Sequence, residues 1–357
     1  MNEHFNKAKQ LYKEGNAREA ISELQRAINK EPTNTKFFVT LGIILEGQGK
    51  SEEAVAVYRR ATKIDANEPT ANLQLGLLLS HMGKYDAAVA PLRKAWSSDQ
   101  KSAKIANALA RALDEAQEFD EAQVMYESVI KLDPGLEDAQ YNLATLRFND
   151  HKYESAIAHY VAYMVKAGES SKAHRNIGKA LAAIGELDSA LHSFDKAKAL
   201  SRNDSTIYYS IADVYERKSD LASAIENYRC ALEIDPQYHE ARFELAKCLR
   251  NNNAIDDAIA EFKILVQKCP SHYRAMNGLG TCYLALKDGT SAARIFRQAI
   301  EIAPGFAAGQ YNMGLALRSA GHLDEAQVHF IQANRLDPSY KADHPTQRYA
   351  TASVPRN

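Results

Sequence analysis

One tryptophan, four cysteines and no long apolar run are the first features of this 357-residue chain. No window approaches 18 uninterrupted apolar residues, the length that begins to signal a membrane-crossing helix, so no transmembrane segment is expected. The opening stretch MNEHFNKAKQ has no apolar core of the kind a secretory signal needs, so a cytoplasmic location is expected. The cysteines, Cys230, Cys248, Cys269 and Cys282, lack the paired spacing of a redox or zinc motif and read as free thiols in a reducing compartment. An excess of either charge is missing too. Lys and Arg number 44 against 45 Asp and Glu, which argues against a general nucleic-acid binder.

Chemistry-bearing motifs are equally scarce. There is no G-x-S-x-G, phosphate-binding loop, HExxH or glycine-rich dinucleotide loop. The eleven histidines are scattered. His322 and His329 fall either side of a turn, and Cys269 with His272 has no further ligand nearby, whereas zinc needs three or four gathered donors. Neither an enzyme nor a cofactor or metal is expected.

What is present is a repeat. Counted in units of 34 from Met1, position 20 is alanine ten times over, from Ala20 and Ala54 to Ala292 and Ala326. Position 8 is always Gly or Ala, and position 24 is always Leu, Tyr or Phe. Positions 4, 7, 8 and 11 share one helix face, as do 20, 24, 27 and 28. Small residues at 8 and 20 let two helices approach closely, and the large residue at 24 fills the space beside them. Position 17 is usually apolar, and Asp86, Asp120, Asp188, Asp256 and Asp324 follow it as N-cap or first-turn acids. Pro134, Pro236, Pro270, Pro304 and Pro338 occupy position 32 and stop the second helix. The expected units are 1–34, 35–68, 69–102, 103–136, 137–170, 171–204, 205–238, 239–272, 273–306 and 307–340, followed by a polar, disordered tail over 341–357. Only Ser339–His344 has the makings of another helical turn. Gln327 and Asn334 in the last unit and Lys7 in the first replace apolar residues, as the ends of a stack require. Gly168 and Arg202 stand where proline is usual and single out that joint as looser.

These columns resemble the tetratricopeptide repeat, whose period is 34 and whose pattern is built on Leu-Gly, Tyr, Ala, Phe and Pro. The resemblance covers residues 1–340; it departs in having no tryptophan at position 4, Trp96 standing at position 28 instead. It implies an all-α, right-handed superhelical solenoid of ten helix pairs. It also implies that positions 2, 5, 9, 12 and 13 of each first helix line a concave groove that holds extended partner segments. Those positions carry thirteen basic and seven acidic residues here, on a chain of net charge −1. Solvated faces carry charge in any case, but a concave wall of one sign focuses its field.

The basic residues concentrate in Lys172, Arg175 and Lys179, with Asn176 beside them, Asn142 one unit earlier and Lys104 and Arg111 before that. Some members of the family grip a carboxylate with Lys, Arg and Asn on three successive first helices. The order here departs from theirs, so a general anion-friendly patch stands beside that reading. Asn6, Asn142, Asn176 and Asn312 resemble, incompletely, the asparagine ladder of sugar-transferring relatives. Aromatic residues at position 5, among them Tyr141, Tyr209 and Phe243, either take up a partner's apolar side chains or pack against the next helix. The expected function is a non-enzymatic scaffold that binds a partner's acidic segment, without nucleic acid or membrane. The alternatives are a self-associating assembly subunit, or a repeat arm serving a separate enzyme such as a glycosyltransferase.

Overall fold

Small residues at fixed intervals and a turn every half period produce helix after helix, and nothing else, among the described residues 2–340 of the computed structural model. In chain order these are α1 (Glu3–Lys13), α2 (Ala17–Lys30), α3 (Thr35–Gly47), α4 (Ser51–Ile64), α5 (Pro69–His81), α6 (Tyr85–Ser98), α7 (Ala103–Glu115), α8 (Phe119–Leu132), α9 (Glu137–Asn149), α10 (Tyr153–Ala167), α11 (Ser171–Ala183), α12 (Leu187–Leu200), α13 (Ser205–Arg217), α14 (Leu221–Ile234), α15 (His239–Asn251), α16 (Ile255–Lys268), α17 (Tyr273–Ala285), α18 (Gly289–Ile302), α19 (Ala307–Ser319) and α20 (Leu323–Leu336). The polar tail over 341–357, with most of the possible extra turn, lies outside the described residues.

The chain divides into two compact units, Met1–Ala180 and Leu181–Asn357. In the first, α1, α3, α5, α7 and α9 each pack on the following even-numbered helix, and α3, α5 and α7 also touch in succession. The second repeats the arrangement, with α15, α17 and α19 in succession.

The packing columns explain the core. Every alanine at position 20 is buried, and so is the position-24 ring or leucine one turn along the same helix: Leu24, Tyr58, Leu92, Tyr126 and Tyr160 in the first unit, Phe194, Tyr228, Phe262, Phe296 and Phe330 in the second. At Gly42 an added Cβ would lie 2.3 Å from the Tyr58 ring, so the absence of a side chain is what lets those helices meet.

Caps and turns sharpen the sequence picture. The position-18 aspartates sit inside the first turn, one residue after helices that begin at Tyr85, Phe119, Leu187, Ile255 and Leu323, so they are first-turn acids and not N-caps. Side-chain capping falls two residues earlier where Asp is available: Asp220 accepts from the Ser223 amide at 3.1 Å and Asp288 from Ser291 at 2.9 Å. The prolines at position 32 follow the last helical residue by two. Where Gly168 replaces proline, α10 runs on to Ala167 and the glycine turns out of it at φ +86°.

Both ends are polar. Lys7 reaches the buried carboxylate of Glu23 (3.2 Å), which also takes His4 (2.7 Å) and Arg26 (2.9 Å). The His4 hydrogen bond leads the causes that hold this carboxyl below its usual range. At the other end Asn334 donates to the Tyr340 carbonyl (2.9 Å), and the Tyr340 ring rests on Tyr311.

Candidate partner-binding face

Positions 2, 5, 6 and 9 of α7, α9 and α11 carry the polar side chains singled out in the sequence, all within the first unit. Lys104, Arg111, Lys172 and Lys179 are exposed, and Arg175, Asn142, Asn176 and Tyr141 are half-buried. Among the described residues Lys104, Arg111 and Lys172 form no ion pair.

Beneath these charges runs a network of hydroxyl and amide groups. Asn142 donates to the Tyr126 hydroxyl (3.2 Å), which donates to Asp114 (3.3 Å). Asn176 donates to two phenols, Tyr141 and Tyr160, each at 3.1 Å. Thr145 donates to the Tyr141 carbonyl (3.0 Å) and lies 3.0 Å from the Tyr160 hydroxyl. Tyr141 meets Tyr160 and Tyr163 edge-on, with ring centroids 5.3 and 5.2 Å apart. Burial raises the Tyr141, Tyr160 and Tyr126 phenols above their ordinary range, and Arg175 beside the first two and Arg111 beside the third oppose that shift. Burial likewise lifts the Asp114 carboxyl, against the pull of the Tyr126 hydrogen bond.

Asn142 and Asn176 are therefore anchored from within the fold. Both are held by tyrosines at position 24 of the preceding unit, 16 residues back. The same inner tyrosines select acids at position 12: Tyr58 donates to Glu46 (3.2 Å), Tyr126 to Asp114 and Tyr228 to Glu216 (3.3 Å). Sequence reasoning counted those three acids as groove charges. The missed signal was their coincidence with tyrosine twelve residues later.

The position-5 aromatics pack against neighbouring rings. In the second unit Tyr209 lies against Tyr228 and Tyr238, at 5.6 and 5.1 Å, and Phe243 against Phe262 and His272, at 6.1 and 5.2 Å; both are half-buried. This face differs from the first unit's in charge. Glu244, Asp213 and Glu240 lie around Tyr209, whose phenol is raised first by burial and then by these carboxylates and the Tyr238 phenol. Burial lifts Glu244 itself, its bonded partner Lys247 lowers it, and Glu216 and Asp213 raise it. Glu244 stands at position 6, outside the positions counted for charge, and so escaped sequence reasoning.

His272 accepts the Ala275 amide (3.1 Å) at the start of α17, a capping role. Among the described residues no three His, Cys, Asp or Glu side chains gather to hold a metal ion, and no helix is long and apolar enough to cross a membrane. All four cysteines are free; burial pushes Cys248 up to about 12 and Cys282 to about 11, so neither is a ready nucleophile.

Models of the tetratricopeptide repeat match residues 47–83, 79–147, 141–205, 209–272, 249–305 and 307–340. The chain belongs to the tetratricopeptide-repeat family. Tetratricopeptide repeat protein 8 of Caenorhabditis elegans is 26% identical over 160 residues, 44% of this chain and 32% of that protein. The probable UDP-N-acetylglucosamine–peptide N-acetylglucosaminyltransferase SPINDLY of Hordeum vulgare is 31% identical over 97 residues, 27% of this chain and 10% of that protein. The matches thus span a third or less of these relatives. The C-terminal part of a repeat-containing protein from Cytophaga hutchinsonii superposes with a TM-score of 0.56 at 18% identity, over 68% of this chain and 99% of that one. A chain of the Cut9–Hcn1 hetero-tetramer superposes with a TM-score of 0.51 at 16% identity, over 85% of this chain and 60% of that one. These tetratricopeptide-repeat helices form a protein-interaction scaffold.

Proposed function

We propose that the tetratricopeptide repeats of the first unit hold an extended, acidic segment of a protein partner against α7, α9 and α11, and that the chain is a scaffold without catalysis of its own. The observation that carries this reading is the placement of Lys104, Arg111, Lys172 and Lys179 as exposed cations around an amide–phenol network. That network gives the face rigid contours, and charge-assisted contacts to carboxylates supply attraction. A reducing, cytoplasmic setting accords with four thiols that form no disulfide.

A carboxylate clamp of the kind some family members use is disfavoured, because both amide hydrogens of Asn176 are taken by tyrosines. The repeat arm of a glycosyltransferase is disfavoured for the same reason, although the Hordeum vulgare relative carries such a name. The reading as an assembly subunit has its own support. In α20, Leu323, Val328 and Ile331 are 65%, 64% and 55% exposed, an apolar face suited to docking.

Substituting Lys172→Glu, Arg175→Glu and Lys179→Glu together is expected to abolish capture of partners from lysate and to leave helicity by circular dichroism unchanged. An unchanged set of captured proteins by mass spectrometry rejects the assignment of this face. Sedimentation at several concentrations tests self-association.

A further inference from the structure

The polarity of the network around Asn176 singles out one phenol. An asparagine amide has two hydrogens, and Asn176 spends one on the Tyr160 oxygen and one on the Tyr141 oxygen, each at 3.1 Å. Each phenol is therefore an acceptor toward Asn176, and its own hydrogen must point elsewhere. For Tyr160 the destination is Thr145, 3.0 Å away. Thr145 has a single hydrogen and gives it to the Tyr141 carbonyl, so toward Tyr160 it accepts. The neighbouring network closes in the same way: Tyr126 accepts from Asn142 and donates to Asp114. Tyr141 breaks the pattern. Its oxygen accepts from Asn176, yet among the described residues nothing accepts its hydrogen. It is half-buried at position 5 of α9, and Arg175 acts on it electrostatically.

We infer that the Tyr141 hydroxyl is a hydrogen-bond donor aimed by Asn176 at a carboxylate oxygen of the bound segment. Half-buried, this hydrogen is left for solvent or a ligand to accept, and a charged acceptor holds it more strongly than water does. The choice of a carboxylate rests on the proposed acidic partner. A carboxylate accepts more strongly than a neutral carbonyl, and Arg175 adds charge of the matching sign. Tyr141 would thus supply short-range recognition where the lysines supply long-range attraction, with Asn176 as the positioning residue.

A fluorescein-labelled twelve-residue poly-glutamate peptide, titrated into the full chain by anisotropy, tests this. Tyr141→Phe is expected to weaken affinity about tenfold, the loss typical of a hydrogen bond to a charged group, without altering the salt dependence. Replacing Tyr141 with 3,5-difluorotyrosine, whose hydroxyl is a stronger donor and weaker acceptor, is expected to tighten binding at about pH 6, below the phenol's titration. Asn176→Leu should weaken binding, and in its background Tyr141→Phe should cost less, because the two act as one unit. Unchanged affinity for Tyr141→Phe, or weaker binding by the fluorinated side chain, overturns the donor role. If Lys172→Glu, Arg175→Glu and Lys179→Glu then still abolish binding, the basic-face reading survives without it. A wild-type chain that does not bind the peptide overturns both. Thermal melts of each variant show whether folding is intact.

Discussion

A single hydroxyl separates Tyr58, Tyr126 and Tyr228 from Phe194, Phe262, Phe296 and Phe330 at the same repeat position. In each of the three the hydroxyl reaches an acid at position 12, whereas units with phenylalanine have Ala182, Arg250, Leu284 and Arg318 there. The acid and the hydroxyl are one interaction written twelve residues apart. Tyr160 is the exception that shows the requirement is an acceptor and not a charge: with Phe148 at position 12, it turns to Thr145. Tyr126→Phe should therefore destabilise the first unit by about 1 kcal/mol, and by less in an Asp114→Ala background where the acceptor is already gone. Urea denaturation of the two single variants and the double variant measures the coupling, and strict additivity would refute it. This covariation was legible in the sequence, but position 12 read as surface because its periodicity matches the groove face. Only the packed helices show that the Tyr126 ring spans from α8 back to Asp114 on α7.

At the scale of the element, each helix pair turns at position 15 with a positive φ. Five of these residues are glycine: Gly15, Gly49, Gly83, Gly185 and Gly321. The other five are Gln117, His151, Ser219, Asn253 and Lys287, at φ between 58° and 63°. A side chain in this left-handed region costs about 1–2 kcal/mol, offset in part by the greater freedom glycine has when unfolded. Lys287→Gly should raise stability by up to about 1 kcal/mol, and Gly49→Ala should lower it by about the same amount. Denaturant midpoints of the two variants check the opposite signs. Sequence reading located the helices through their packing columns but had no column for this turn, since half of its residues are not glycine. The conformation is imposed by the helices on either side, which must reverse direction within the three residues between, for example, Gly47 and Ser51. Their geometry overrides the local preference of lysine or glutamine.

For the molecule as a whole, the consequence of a repeat architecture is that stability is local. Within each unit the main helix contacts run between neighbours in sequence, so a defect is felt where it lies. Gly42→Ala brings a Cβ to 2.3 Å from the Tyr58 ring, and relieving that clash should cost about 1–3 kcal/mol. Hydrogen exchange should report the loss in α3, α4 and their neighbours while amides of α15 to α20 keep their protection. Uniform loss across the chain would show that the array unfolds as one cooperative body. Charge is distributed with the same locality: the cations of α7 and α11 stand in the first unit, and Asp213, Glu216, Glu240 and Glu244 in the second. A chain of net charge −1 conceals this contrast.

The sequence by itself determined the helices, their pairing, the buried alanine and position-24 columns and membership of the tetratricopeptide-repeat family. Those features depend on residues a few positions apart and recur ten times, so local periodicity suffices to reveal them. The tertiary structure alone decided which polar side chains on the first helices are consumed internally. Asn142 and Asn176 are bound by tyrosines 16 residues earlier, Asn176 reaches Tyr141 across 35, and a donor's direction is set by which acceptors surround it. No pattern of spacing carries that information, because a hydrogen bond is satisfied in three dimensions. It is this accounting that leaves the Tyr141 hydrogen without an acceptor among the described residues of the face.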